Sequence, residues 1–237
     1  MRMEDAAQVR ETPLFSGMSE QVFDALTTGA FLQTFPPHVE LFREGEAADF
    51  LYVVMDGMVE LYAAWNNREA AITTVRPTGT FILAAVVRDA CYLMSARSLG
   101  RCRLVMLPAA SVRQALTSDH AFAIAMIDEL SGCYRAAVKA QKNLKLRTGV
   151  ERLAAYLLQT GTRSGASGFE LPCDKRTLAS LLGMTAENLS RAFATLRPYG
   201  VIVSGSTITL AAPDDLARLA KPAALIDDLD PAALGDG

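Results

Sequence analysis

Short apolar runs recur about every ten residues between positions 31 and 108, and turn residues separate them. The pair Asp56-Gly57 stands between FLYVV and MVELY, and an Asp-Gly pair between two apolar runs is typical of a tight β-hairpin. The series also contains FLQTF, VELF, AITTV, CYLMSARS and CRLVML. This spacing predicts an antiparallel β-sandwich or barrel. A short helix over residues 19–29, with Ser19 as its N-cap, is predicted in front of it.

The hydrophobic period changes after position 118, where one long helix is predicted to run to position 146. Ser118 or Asp119 can cap this helix, and no proline interrupts it. Apolar or neutral residues then recur in alternating steps of three and four, which is the spacing of a coiled-coil seam. The predicted seam consists of Ile127, Leu130, Tyr134, Ala137, Gln141 and Leu144.

A second apolar stripe, formed by Phe122, Met126 and Cys133, lies beside the seam. A helix with two apolar faces needs two packing partners. The strand domain can cover one face and a second copy of the same helix can cover the other, so the pattern predicts a homodimer. A helix buried entirely within one domain is the alternative.

The segment over residues 174–200, DKRTLASLLGMTAENLSRAFATLRPYG, predicts two short helices joined by a tight turn. Asp174 and Thr185 can cap the helices, and Gly183 stands where a left-handed turn residue belongs. Small Ala179 before the turn and Leu189 after it allow the helices to cross closely, which is typical of a helix-turn-helix. The predicted flanking elements are a helix over residues 150–159, a loop over 161–168 and a hairpin that turns at 204–206.

The second of these helices carries three residues that can read DNA bases. Glu187, Ser190 and Arg191 are spaced i, i+3 and i+4, so they share one face, opposite the core-facing Leu189, Phe193 and Leu196. Arg191 can donate two hydrogen bonds to guanine, Glu187 can accept one from cytosine, and Ser190 suits either base type or a thymine methyl. Residues predicted to contact phosphates are Lys175, Arg176, Thr177, Thr185 and Arg197. An all-helical packing unit with an exposed Glu–Arg pair is the alternative.

Charge is distributed unevenly along the 237-residue chain, whose net charge is −3. Residues 139–200 contain ten Lys or Arg and four Asp or Glu, a net charge of +6. Residues 213–237 contain six Asp and two basic residues, a net charge of −4. The basic block is the charge pattern expected of a module that binds nucleic acid such as double-stranded DNA, and a solvated helix face with ordinary Lys and Arg is the alternative. The acidic tail is predicted to be flexible and without chemistry.

The composition narrows the class of protein further. A hydrophobic fraction of 51% excludes a chain that is disordered throughout. Apolar runs of at most seven residues predict no membrane span, and the N-terminus lacks an apolar stretch, so a cytoplasmic protein is expected. Four scattered cysteines without a CxxC pair argue against a metal site, and the absence of common catalytic motifs argues against an enzyme.

These motifs together resemble the CRP/FNR family of bacterial transcription regulators, over about residues 13 to 210. LFREGEAADFLYVVMDGMVELY matches the family's glycine-punctuated pattern, with Gly45 and Gly57 at turn positions, and Glu187-x-x-Ser190-Arg191 matches the E-x-x-S-R pattern of the FNR-like branch. The resemblance implies an α+β fold with an N-terminal cyclic-nucleotide-binding-type antiparallel β-roll, a long dimerisation helix and a C-terminal winged helix-turn-helix. The predicted limits are 1–117 for the sensor domain with its short N-terminal helix, 118–147 for the dimerisation helix, 148–212 for the DNA-binding domain and 213–237 for the tail.

The function implied by the resemblance is that of a homodimeric regulator that reads a TTGAT-like palindrome and works with RNA polymerase. A cAMP binder of the family carries a Phe-Gly-Glu stretch and a later Arg-Ser or Arg-Thr pair. The corresponding stretches here are Phe81-Ile82-Leu83 and Met94-Ser95, so both charged anchors are missing, which argues against cAMP. The first cysteine is Cys91, which argues against an N-terminal iron–sulfur cluster.

The sequence therefore leaves several candidates for the effector. The candidate pocket contains Phe81, Leu83, Met94 and Ser95. This apolar pocket suits a hydrophobic ligand or haem, or it is packed shut. The candidate axial ligands of a haem are His38, His120 and the cysteines, methionines and tyrosines. The stretches FLQTFPPHVELF and TFILAAVVRDACYLMSARS resemble a subgroup of proteobacterial regulators linked to nitrogen oxides and denitrification, which implies nitric oxide or redox sensing. Oxidation of Cys173 near DNA would weaken DNA binding. An inert thiol at Cys173, a constitutive regulator with an empty sensor pocket and a receptor acting through protein partners are the alternatives.

Overall fold

The computed structural model describes residues 3–165 and 168–227. The chain divides into two compact units, and the boundary between them lies between Arg135 and Ala136. The first unit is built around two sheets and the second mainly from helices. This mixture of helices and antiparallel sheets confirms the predicted α+β class.

The first unit contains two four-stranded antiparallel sheets. The strand order is β1-β8-β3-β6 in one sheet and β2-β7-β4-β5 in the other. The strands are β1 (Phe31–Phe35), β2 (Glu40–Phe42), β3 (Phe50–Asp56), β4 (Val59–Trp65), β5 (Arg68–Val75), β6 (Thr80–Phe81), β7 (Ser95–Ser98) and β8 (Cys102–Pro108). The predicted β-roll is confirmed.

The prediction of a hairpin at Asp56-Gly57 is wrong: the turn is present, but the two strands that it joins do not pair with each other. Gly57 has φ +82°, as an Asp-Gly turn requires, but β3 pairs with β6 and β8 whereas β4 pairs with β5 and β7. The chain therefore crosses from one sheet to the other at this turn. Gly57 is needed for a second reason, because a Cβ there would lie 2.8 Å from Cα of Cys102.

Helices cover the sheets of the first unit. They are α1 (Met3–Arg10), α2 (Pro13–Ser16), α3 (Glu20–Thr28), α4 (Leu83–Arg88), α5 (Ala109–Ser118) and the first part of α6 (His120–Leu146). Only α3 and α6 are predicted from the sequence pattern. The strand predicted over CYLMSARS is shorter than expected: β7 begins only at Ser95.

The predicted long helix is present as α6, and Asp119 is its cap. One carboxylate oxygen of Asp119 accepts a hydrogen bond from the backbone N–H of Phe122 at 2.9 Å. Phe122 and Met126 are buried in the core of the first unit, which confirms the second apolar stripe at these two positions. Cys133, the third member of that stripe, is exposed.

The second unit contains the last residues of α6 and the elements that follow it. These are α7 (Gly149–Ser164), β9 (Gly168–Glu170), α8 (Lys175–Leu181), α9 (Ala186–Leu196), a 3-10 turn (Arg197–Tyr199), β10 (Val201–Ser204), β11 (Thr207–Leu210), α10 (Pro213–Ala220) and α11 (Ala224–Asp227). The three strands form one antiparallel sheet in the order β10-β11-β9. The predicted hairpin at 204–206 is present, with Gly205 at φ +63°.

Two predictions for this unit need correction. Helix α7 continues five residues past the predicted end, and Gly161 lies inside the helix. Gly161 packs closely against Leu210 and Phe169, and a Cβ there would lie 2.9 Å from Cδ1 of Leu210. Residues 213–227 are not a flexible tail: they form α10 and α11, and Leu216 and Ala220 are buried in the core of the unit. The last part of the predicted tail, residues 228–237, lies outside the described residues.

Candidate nucleic-acid interface

Two capped helices and a left-handed turn build the helix-turn-helix. The carboxylate of Asp174 accepts from the backbone N–H of Thr177 at 2.8 Å and caps α8. The hydroxyl of Thr185 accepts from the backbone N–H of Asn188 at 3.2 Å and caps α9. Gly183 between them has φ +62°, a conformation that glycine adopts without steric cost. These local signals were readable from the sequence, and all three positions are confirmed.

Helix α9 separates a buried side from an exposed side. The buried residues are Leu189, Ala192, Phe193 and Leu196. Glu187, Ser190 and Arg191 are all exposed, so the three predicted base-reading residues lie on the solvent side of the helix. An amphipathic helix held on its apolar side can present its polar side to a DNA groove.

The charge of Glu187 is stabilised locally. A hydrogen bond from the Thr185 hydroxyl, its own backbone N–H and the nearby charge of Arg191 hold the pKa of Glu187 below its ordinary value. Glu187 therefore stays an acceptor at neutral pH.

The predicted phosphate-contacting residues do not all reach the surface. Lys175, Arg176, Thr185 and Arg197 are exposed. The ammonium of Lys175 lies 5.9 Å from the centre of the Phe193 ring. Thr177 is only 7% exposed and its hydroxyl lies 3.4 Å from the Asp174 carboxylate. We therefore remove Thr177 from the phosphate set and assign it to the core of the motif.

Arg152 on α7 joins the turn of the motif to the end of α6. Its guanidinium donates to the carbonyl oxygens of Leu182 at 2.7 Å and Arg147 at 2.6 Å. Burial lowers the pKa of Arg152 without changing its charge at neutral pH. Arg152 supplies donors to carbonyl groups at the ends of two helices, which otherwise have no intrahelical partner.

Most of the predicted seam residues on α6 are exposed in the single chain. Ile127 and Tyr134 are 56% and 72% exposed, and Ala137, Gln141 and Leu144 are exposed as well. Leu130 is half-buried and packs against the core of the first unit. The prediction missed Ile124 and Val138, two large apolar side chains that are also exposed on α6. Their spacing from Ile127 and Tyr134 was readable as steps of three and four.

The four predicted effector-pocket residues are packed against protein. Phe81 and Leu83 are buried in the core, and the rings of Phe81 and Tyr52 stack with centroids 5.0 Å apart. The hydroxyl of Ser95 accepts from the backbone N–H of Glu44 at 3.0 Å, and Met94 packs at the edge of the core. None of the four lines the open surface cavity of about 390 Å³ between residues 45–49, 89–91 and 108–113.

Aromatic rings occupy the space around this site. Phe42 stacks on Tyr92 with centroids 3.9 Å apart, and on Phe81 at 6.2 Å. Burial raises the pKa of both Tyr52 and Tyr92, so their hydroxyls stay protonated.

Arg97 on β7 is held by the buried Glu60 at 2.5 Å and by Glu69 at 2.7 Å. Its positive charge is therefore already neutralised.

The candidate redox and metal ligands are dispersed. His38 and His120 are exposed, and neither belongs to the packed aromatic cluster. His38 and His120 therefore do not fit as axial ligands of a haem in the predicted pocket. Within residues 3–165 and 168–227, no group of three or more His, Cys, Asp or Glu side chains could hold a metal ion. Cys173 is half-buried beside the core of the second unit.

Further features lie outside the sequence predictions. Asn188 is exposed on the first turn of α9. The hydroxyl of Thr80 on β6 donates to the carboxylate of Glu129 at 2.6 Å, which joins β6 to α6. No sequence signal pairs these two residues. Among the helices that the structure describes, none is long and apolar enough to cross a membrane.

Two domain families match the chain in the order that the fold shows. The cyclic nucleotide-binding domain matches residues 32–119 and the Crp-like helix-turn-helix domain matches residues 151–219. The nitrogen fixation regulation protein FixK of Azorhizobium caulinodans is 27% identical over 197 residues, which cover 79% of this chain and 76% of FixK. The CRP-like cAMP-activated global transcriptional regulator of Mycobacterium tuberculosis is 24% identical over 215 residues, covering 88% of this chain and 96% of that protein.

A solved structure supports the same assignment. FixK2 from Bradyrhizobium japonicum superposes with a TM-score of 0.73 at 25% identity, over 82% of this chain and 98% of FixK2. The two matched domains, their order and these relatives agree with the β-roll, the long helix and the helix-turn-helix of the fold. The chain therefore belongs to the CRP/FNR family of DNA-binding transcription regulators and is not an enzyme.

Proposed function

We propose that this regulator acts as a homodimer that reads a TTGAT-like palindrome through Glu187, Ser190 and Arg191. The observation that carries the proposal is the exposure of all three side chains on one side of α9, at the spacing of the FNR-like reading motif. Arg191 pairs with guanine and Glu187 accepts from cytosine, while exposed Lys175, Arg176 and Arg197 fix the register on phosphates.

The homodimer is supported by the exposed apolar stripe on α6. Ile124, Ile127, Tyr134 and Val138 follow one another at helical spacing and are all exposed in a single chain. A contiguous apolar surface of this kind marks an interaction site, and a second copy of the helix matches its length and pattern. A palindromic site requires a two-fold symmetric reader, so dimer and palindrome are one proposal.

The signal that controls DNA binding is proposed to be other than cAMP. The Mycobacterium tuberculosis relative is described as cAMP-activated. In this chain Arg97 is neutralised by Glu60 and Glu69, and Phe81 and Leu83 stand in the packed core. None of the four predicted pocket residues is charged, so a cyclic phosphate held by them would receive no cation from them.

A regulator that binds DNA without a small effector is the second candidate, and the packed aromatic cluster favours it. The stacking of Phe42, Tyr52, Phe81 and Tyr92 fills the place where an apolar ligand was expected. Control by nitric oxide, haem or redox chemistry would need this cluster to rearrange. An absorption spectrum of protein purified with haem available distinguishes the two, because bound haem gives a Soret band.

The direct test is a gel shift on a TTGAT-N4-ATCAA duplex without added effector. The wild type is expected to bind this duplex about 10³-fold tighter than a scrambled duplex of the same composition. Equal affinity for the two duplexes would reject the half-site proposal. The affinity for DNA is expected to fall steeply as the salt concentration rises. A receptor that works only through protein partners would show no such DNA binding. Action in the cytoplasm with RNA polymerase follows from the proposed role at a promoter.

A further inference from the structure

The C-terminal segment over residues 213–227 is fastened to the junction between α6 and α7. The guanidinium of Arg147, at this junction, makes two contacts of 2.5 Å to the two carboxylate oxygens of Asp227. The side chains are only 7% and 14% exposed. A bidentate pair with this burial holds both partners in one geometry, unlike a surface ion pair.

Several further bonds fix Asp227 in place. The backbone N–H of Ala223 donates to its carboxylate at 2.7 Å, and Gln159 on α7 donates to its backbone oxygen at 3.0 Å. Burial opposes the charge of Asp227, but the bonds from Arg147 and Ala223 keep the pKa of Asp227 below its ordinary value. The pair therefore stays ionised at neutral pH.

The same segment touches both helices at the junction. Lys142 on α6 donates to the backbone oxygen of Leu225 at 3.0 Å, and Arg147 also donates to the backbone oxygen of Lys221 at 3.1 Å. At the other end of the segment, Leu216 is fully buried in the core that includes α8 and α9. The segment thus provides a second connection between the end of α6 and the helix-turn-helix, in addition to the direct one through α7.

We propose that Asp227 is a positioning residue for DNA recognition, which holds Arg147 and so fixes the direction in which α7 leaves the end of α6. The inference rests on the proposed function, because that direction sets the separation of two recognition helices only in a dimer formed along α6. A looser junction lets the two helix-turn-helix motifs reach half-sites at other separations. Each motif alone still reads its half-site.

The experiment compares spacer preference in wild type, Asp227→Asn and Arg147→Gln. Affinity is measured for TTGAT-N4-ATCAA, for the same half-sites separated by two and by six base pairs, and for a duplex with one half-site. Each variant is expected to lower the preference for the four-base-pair spacer about fivefold or more, with unchanged affinity for the single half-site. The double variant should lose no more than either single variant, because all three break the same link.

Arg218→Ala is the matched control, because Arg218 forms an exposed ion pair with Asp215 on α10 and does not contact the junction. It is expected to keep the wild-type preference. Equal spacer preference in wild type and both junction variants would overturn this inference alone. An equal loss in Arg218→Ala, or a parallel loss of single half-site binding, would also overturn it, because either points to general destabilisation. Failure of the wild type to prefer the palindrome over scrambled DNA would instead overturn the proposed function.

Discussion

The carboxylate of Asp119 accepts hydrogen bonds from both the backbone N–H and the hydroxyl of Ser19, each at 2.8 Å. Asp119 caps α6 and Ser19 stands at the start of α3, so one side chain fixes the first turns of two helices. Ser19 was expected to cap α3 with its own side chain, but its hydroxyl donates to Asp119 instead. The bonds from Phe122 and Ser19 lower the pKa of Asp119 from 3.8 to about 2.

This pKa makes a prediction for acid unfolding. The ionised form of Asp119 is favoured in the folded state, so its contribution is complete above the ordinary pKa of 3.8 and is lost as the pH falls toward 2. Asp119→Asn should lower stability at neutral pH and flatten the fall in stability over this pH window. Urea unfolding midpoints measured against pH check this. Asp24→Asn, an exposed carboxylate on α3, should keep the wild-type slope, and an unchanged slope in Asp119→Asn would contradict the assignment.

The turn of the helix-turn-helix gives a second prediction, because Gly183 is constrained both by its backbone and by its neighbour. Its φ is +62°, and an added Cβ would lie 2.7 Å from Cδ2 of Leu144. Gly205 has nearly the same φ, +63°, with nothing within 4 Å of an added Cβ. Both Gly→Ala variants should cost about 1 kcal/mol from the left-handed backbone. Gly183→Ala should cost about 0.5 kcal/mol more, because the 48% exposed Leu144 side chain must turn its Cδ2 aside.

Urea unfolding of the two variants measures the difference. Repeating Gly183→Ala in a Leu144→Ala background removes the crowding atom and should bring its cost close to that of Gly205→Ala. If both Gly→Ala variants lost the same free energy of unfolding in the wild-type background, the Leu144 side chain would move aside without cost.

The helix-turn-helix was predictable because its signals are local. Capping residues, a left-handed glycine and the spacing of Ala179 and Leu189 act within about 25 residues, and each is satisfied by contacts inside the motif. The exposed positions on α9 follow from the same helical period. The sequence therefore predicts the caps, the turn and the exposed side of α9, although it contains no information on distant contacts.

The errors arose where distant contacts decide the structure. The Asp56-Gly57 signal specifies a turn but not the sheet that the next strand joins, and β4 pairs with β5 and β7 instead of β3. The average composition of residues 213–237 hid a helix start, since Pro213 with Asp214 and Asp215 favours α10 and Leu216 anchors it in the core. The pairing of Asp227 with Arg147, 80 residues away, has no local signal at all.

The exposed stripe on α6 gives a prediction on oligomeric state. Ile127→Asp places a charge in the proposed seam, so the protein should shift from dimer to monomer, since an unpaired charge in an apolar interface is costly. Sedimentation equilibrium checks the mass, and the gel shift should show that palindrome binding falls much more than half-site binding. Leu93→Asp, a substitution at an exposed apolar residue off the helix, should remain dimeric. A wild type that is monomeric while it binds the palindrome would contradict the proposed seam.

The division between base-reading and phosphate-contacting residues gives the last prediction. Arg191→Ala should remove about 1–3 kcal/mol of preference for the guanine-containing pair and leave binding to other sequences nearly unchanged. Lys175→Ala should weaken binding to all sequences about equally and reduce the magnitude of the salt slope by about 1 for each recognition helix engaged. Affinities for the TTGAT palindrome and for single-base variants of it, measured at several salt concentrations, separate the two effects. Arg218→Ala serves as the control here too, because Arg218 pairs with Asp215 and should change neither quantity. If Arg191→Ala lowered all affinities alike, Arg191 would be a phosphate contact, and the guanine contact would have to be sought at Asn188 or another exposed residue of α9.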